Sequence, residues 1–130
     1  MMDDARAAEM AKAKAGNGMV GQRLLSETDA VRVWRIELAP GERVGFHTHV
    51  LNYFWTATSA GKSRSHYADG RNVETEYGLG TTRHYSFGPG ESMVHDLENI
   101  GDTVLSFTTV ELKIGSANVP LPLNVKPENG

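Results

Sequence analysis

The chain has 130 residues, with 13 Lys and Arg against 16 Asp and Glu, a formal net charge of −3 and no cysteine. A chain of this length suits one core, and its mixed charge contains no basic run able to follow a phosphate backbone, which excludes nucleic acid as a partner. The absence of cysteine excludes disulfides, thiolate ligands and a cysteine nucleophile, so any metal must be held by nitrogen and oxygen.

Residues 1–19 lack the apolar stretch of a secretory leader, and no run elsewhere approaches the ~18 apolar residues of a membrane helix. The expectation is a cytoplasmic protein with no membrane partner. Residues 3–15 are almost all strong helix formers with acids early and lysines late, an order that suits the helix dipole, and Gly16-Asn17-Gly18 ends the pattern. Alanines and Met10 are all this segment has to bury. It is expected either as a short helix laid across the rest of the fold or, more simply, as a frayed arm.

After Gly21 the chain breaks into short stretches rich in Val, Ile, Thr, Tyr, Phe and Trp, punctuated by Gly, Pro, Asn and Asp. The predicted strands are 31–38, 43–49, 52–58, 62–67, 73–77, 82–86, 92–97 and 103–113. Explicit turns separate them, among them Ala39-Pro40-Gly41, Ala68-Asp69-Gly70-Arg71 and Gly88-Pro89-Gly90. Short strands at this spacing point to a closed barrel or a two-sheet jelly roll, because both remove exposed edges. Trp34, Phe46, Phe54, Trp55, Phe87 and Phe107 are the expected aromatic core. Pro120 and Pro122 then hold the end of the chain extended, along the barrel or along a neighbouring subunit. The organisation expected is an N-terminal helix or arm over 1–20, a barrel over 21–115 and an extended tail over 116–130.

His47 and His49 sit two apart in a predicted strand, so they share a face with Cα atoms roughly 6.6 Å apart, close enough to lean onto one ion. Gly41, five residues, His47-Thr48-His49 and then Gly61 resemble the first cupin motif: Gly, five residues, His-x-His, three or four residues, Glu, six residues, Gly. Pro89-Gly90, His95 and Asn99 resemble the second motif, although Gly90 follows the proline directly and extra residues precede His95. The resemblance covers about 31–113. It implies an all-β, cupin-type double-stranded β-helix, or jelly-roll barrel, with a short N-terminal helix or arm. It further implies one divalent metal on His47, His49 and His95. A looser resemblance is to small free-standing bacterial cupins linked to β-alanine degradation.

Cupins commonly add a glutamate to three histidines, and here its position falls on Tyr53 or Phe54. The spacing to Gly61 selects Phe54, whose ring offers a cation no lone pair and would make the pocket drier. Either the site is a neutral three-histidine triad with open positions, or the metal has been lost. Retention of all three histidines speaks for the triad, and three protein ligands with open coordination is the arrangement of a catalytic metal. Fe(II) is the first expectation, with Zn, Ni or Mn as alternatives, since imidazole suits many transition metals.

The residues of catalysis stay unassigned. His66, His84 and Tyr53 are candidates if they face inward, as general base or substrate anchor. Arg64 and Arg83 would bind a carboxylate if inward. Three-histidine cupins that this chain resembles include thiol dioxygenases, which implies a metal-dependent enzyme acting on a small polar metabolite by dioxygenase-type chemistry. Isomerase or lyase chemistry is the alternative within that class. A non-catalytic small-ligand-binding or sensing cupin is the reading from another class, supported by the missing glutamate. A homodimer, joined through strands and the tail after Ser116, is also expected.

Overall fold

A computed structural model describes residues Asp3–Asn129. Helix α1 (Asp4–Lys14) precedes nine strands: β1 (Arg23–Glu27), β2 (Val31–Leu38), β3 (Arg43–His49), β4 (Asn52–Ala57), β5 (Gly61–His66), β6 (Asn72–Tyr77), β7 (Thr82–Tyr85), β8 (Met93–Asn99) and β9 (Leu105–Leu112). They form two antiparallel sheets, in the orders β1-β2-β9-β4-β7 and β3-β8-β5-β6. This is the two-sheet jelly roll of the double-stranded β-helix.

Period-two burial orients β2 and most of β9. On β2, Arg32, Trp34, Ile36 and Leu38 are buried; on β9, Leu105, Phe107, Thr109 and Glu111 lie on the same interior face. One end of the interior is filled by Ile36, Leu38, Val44, Ala57, Leu105 and Phe107. Trp34 packs on Val20 and Leu24 in a second cluster. Of the expected aromatic core, Trp34, Phe46 and Phe107 are fully buried, whereas Phe54 and Phe87 are only partly covered. The two motif glycines Gly41 and Gly90 have φ of 85° and 76° with open space around them, so the backbone conformation of their turns, not crowding, requires glycine.

One expectation needs correction, and two that left alternatives open are decided. The strand β1 went unpredicted; it pairs with β2 through a register shift between Leu24 and Ser26, which breaks the alternation that would have marked it. The N-terminal segment is a docked helix and not a frayed arm. Asp3 caps it by accepting from Arg6 N at 2.8 Å, and Met10 and Ala13 pack on Phe46 and Val94. Finally, the tail runs along the protein's own barrel: Arg32 donates to the Leu121 carbonyl at 2.9 Å, and Glu128 N and Asn129 N donate to the carbonyls of Leu24 and Leu25. Among the described residues no helix is long and apolar enough to cross a membrane.

Candidate metal centre

Strand β3 carries two of the three histidines, and its backbone is irregular between Val44 and His47, where the register against β8 shifts. The bulge resets which residues face inward. Val44 joins the apolar core, and after the bulge His47 and His49 also turn into the barrel. Phe46 and Thr48 turn outward, beneath α1.

β3 is an edge strand, and the N-terminal segment satisfies its free backbone. Glu9 accepts from Phe46 N at 2.9 Å; Asn17 donates its side-chain amide to the Phe46 carbonyl at 3.0 Å. Thr48 N donates to the Asn17 carbonyl at 2.7 Å, and the Thr48 hydroxyl donates to the carbonyl of Ala13. The residues on either side of His47 are therefore fixed by groups far away in sequence.

His95 on β8 stands directly across from His47. The three imidazoles are mutually edge-on, with ring centroids 4.7–5.1 Å apart, and one nitrogen from each lies within 4.8 Å of the others. His49 Nε2 and His95 Nε2 are 3.2 Å apart. Two nitrogens each about 2.0–2.1 Å from one ion would be separated by about 2.8–3.4 Å, for angles between octahedral and tetrahedral, so the spacing suits shared coordination. The Gly45 carbonyl lies 2.7 Å from His47 Nδ1. That contact holds the proton on Nδ1 and leaves Nε2 free as a donor to metal.

Burial pushes the His47 imidazolium down to about 4, the Gly45 carbonyl opposing the shift. His49 and His95 are held well below the ordinary value, first by burial and then by the neighbouring histidines. All three are thus neutral at pH 7, the form that offers a lone pair.

Tyr53, not Phe54, occupies the inner wall where the glutamate was expected. Its ring stacks on His49 at 4.0 Å and on Tyr85 at 4.7 Å, and burial pushes its phenol well above its usual range, so it stays protonated. Phe54 faces outward against the ring of His84, 5.3 Å away, and neither dries the pocket. His84 is exposed on β7. His66 also points away from the interior: its Nδ1 lies 3.0 Å from Asp96, a buried carboxylate that Arg43 binds as well. His66 and His84 therefore do not reach the histidine cluster, and of the candidates only Tyr53 does. Arg64 is outward too, paired with Glu74 at 3.0 Å.

The histidines line a cavity of about 90 Å³ that also touches Tyr53, Tyr67, Tyr77, Tyr85 and Arg83. Tyr67 reaches His95 from the end of β5, with ring centroids 5.2 Å apart. Tyr67, Tyr85 and Arg83 are the site residues that strand spacing alone left open; Tyr85 and Arg83 are placed by standing across from Tyr53 and Trp55 on β4, a cross-strand register that spacing along the chain does not give.

Neither a protein-family model nor a curated protein matches this sequence. Solved structures do. A cupin domain from Bordetella pertussis is 21% identical, with 71% of this chain aligned to 97% of that one at a TM-score of 0.59. An RmlC-like cupin family protein with a double-stranded β-helix fold from Methanocaldococcus jannaschii is 22% identical, over 69% and 76% of the two chains, at 0.54. A conserved protein with a double-stranded β-helix domain from Klebsiella pneumoniae is 25% identical, over 78% and 82%, at 0.54. None of these three names a link to β-alanine degradation.

Proposed function

We propose that this chain, which has the cupin fold, binds one divalent metal on His47, His49 and His95 and acts as a metal-dependent enzyme on a small polar metabolite. The convergence of three neutral imidazoles on one point, His47 and His49 buried and His95 partly so, with ligand nitrogens within 4.8 Å, is the observation that carries the reading. Three nitrogen donors leave coordination positions open toward the cavity. A bound ion would supply Lewis acidity there and, as Fe(II), a place for dioxygen and substrate to meet, which makes dioxygenase-type chemistry the first reaction class to assay and isomerase or lyase chemistry the second. The chain itself supplies an aromatic-walled cavity and protonated tyrosine hydroxyls that donate hydrogen bonds. Part of the same reading is a cytoplasmic homodimer; a monomer by light scattering would remove the dimer.

A second reading is a non-catalytic cupin that holds its ligand for sensing or storage. One observation favours it: among the described residues no Asp or Glu lines the cavity, so none of them offers a carboxylate there as general base.

Elemental analysis of untagged protein, beside His47→Ala and His95→Ala variants, tests the metal site. One ion per chain, lost in both variants, supports it. No metal in the parent, and no uptake of iron, zinc, nickel or manganese, would overturn it.

A further inference from the structure

The cavity has an uneven charge inventory. Among the described residues its lining contains no Asp or Glu, and Arg83 is the one Arg or Lys in it. Arg83 sits on β7 directly across from Trp55, two residues from Tyr85, and is exposed, which places it at the mouth of the cavity rather than in its depth. Its field reaches Tyr77 on the far side of the opening.

Neighbouring cations are differently placed. Lys62, Arg64 and Arg71 are each paired with a carboxylate, at 3.2, 3.0 and 2.8 Å. Arg83 makes no ion pair and no side-chain hydrogen bond among the described residues. Glu74 and Glu76, the acids of the facing strand β6, are taken up by Arg64 and Lys62 on the outer surface. An unpaired guanidinium beside a cavity without acids is a place for an anion to bind.

The geometry points to a small carboxylate as the cavity's ligand, with Arg83 as the residue that binds the carboxylate group. A single planar guanidinium matches a carboxylate through two parallel hydrogen bonds. Phosphate is usually met by several cations, a backbone nest or a helix N-terminus, and none of these lines the cavity. The lining also presents Trp55, Val73, Leu97 and Phe107, apolar surface that suits the carbon body of such a ligand. At about 90 Å³ the space admits only a few non-hydrogen atoms. This inference rests on reading the cavity as the functional site, and it deepens that reading by naming the ligand's charge and its contact.

The test is calorimetric titration of the zinc-loaded and zinc-free parent, Arg83→Gln and Arg83→Lys with acetate and propionate, using propionamide as the uncharged isostere and inorganic phosphate as the rival anion. Zinc content is measured on every sample. At least one carboxylate should bind the parent and not propionamide or phosphate, roughly 10- to 100-fold more weakly in Arg83→Gln, with partial recovery in Arg83→Lys. Zinc content should be equal in all three proteins. Equal carboxylate affinity in the parent and Arg83→Gln, no carboxylate binding at all, or phosphate binding as tight as carboxylate would overturn the inference. A parent that takes up no zinc overturns the metal site instead, and the zinc-free titrations then decide the role of Arg83 separately.

Discussion

The helix and the first histidine strand meet at a crowded point, and an alanine at Gly45 measures how much that contact contributes. A methyl group there would lie 3.1 Å from Glu9 Oε1, 3.2 Å from its Cδ and 3.4 Å from Oε2, inside ordinary contact distance. The carboxylate is not free to swing away. It accepts from Arg43 Nη1 at 3.0 Å, Arg43 Nη2 at 2.7 Å and Phe46 N at 2.9 Å. Hydrogen bonds to charged groups contribute about 1.5–3 kcal/mol each when shielded from water. Here the Glu9 side chain is 37% exposed and that of Arg43 19%, so the whole cluster is discounted to about 2 kcal/mol, the expected cost of Glu9→Ala. Gly45→Ala, which displaces the same carboxylate, should cost about 1–2 kcal/mol in the parent. In a Glu9→Ala background the clash is gone and alanine suits a strand better than glycine, so the same substitution should be neutral or stabilising by about 0.5 kcal/mol. Urea unfolding of the four metal-free proteins at pH 7.5 gives the coupling directly. Arg43 holds the Glu9 carboxyl below its ordinary value of 4.5, so its contribution is present above 4.5 and is lost as pH falls through the lower folded value. Costs that add within about 0.5 kcal/mol at pH 7.5 would refute the contact as described.

Two further outcomes follow from buried groups. Glu111, 3% exposed and bound to the Trp34 indole at 2.8 Å, is pushed up to about 7 by burial, so the folded state keeps its proton while the unfolded chain has lost it. Stability should therefore fall as pH rises from 4.5 to 7, by up to about 3 kcal/mol, and Glu111→Gln should flatten that slope in urea titrations run across the interval. Tyr53→Glu places a carboxylate beside His49, where the parent stacks a phenol at 4.0 Å; zinc affinity measured by competition with a chelator should rise at least tenfold, while the metal-free variant unfolds at lower urea.

The histidine triad was legible because two chemical signals coincided: a His-x-His pair in a strand, and a third histidine after a Pro-Gly turn. The two strands they predict are in fact neighbours, with His47 across from His95. Phe54 was misplaced because the spacing to Gly61 counts residues without regard to the pleat. Trp55 and Ala57 pack toward the apolar core, and on a strand their parity includes Tyr53 and excludes Phe54. His66 and His84 fail by the same parity. The helix was underrated for a different reason. Its apolar payload is only Met10 and Ala13, and its anchors Glu9 and Asn17 bond to residues 37 and 29 positions away, a kind of contact that periodicity does not register. The bulge at Gly45 likewise leaves no trace in a period-two pattern.

Replacing an acidic ligand by Tyr53 changes more than the donor count. Three neutral imidazoles cancel none of a divalent ion's charge, and an uncompensated charge in a buried site costs several kcal/mol even after relaxation. Arg83 at the mouth adds a further positive charge and the lining supplies no acid to offset it. Under these conditions the missing negative charge has to arrive with the ligand. Occupancy of the histidines and occupancy of the cavity by a carboxylate then become linked, and linkage is reciprocal: whatever factor zinc adds to carboxylate affinity, the carboxylate adds to zinc affinity. With metal and carboxylate bound as proposed, the two would be coupled, so metal affinities measured in buffers free of carboxylate should understate the affinity of the ligand-bound protein.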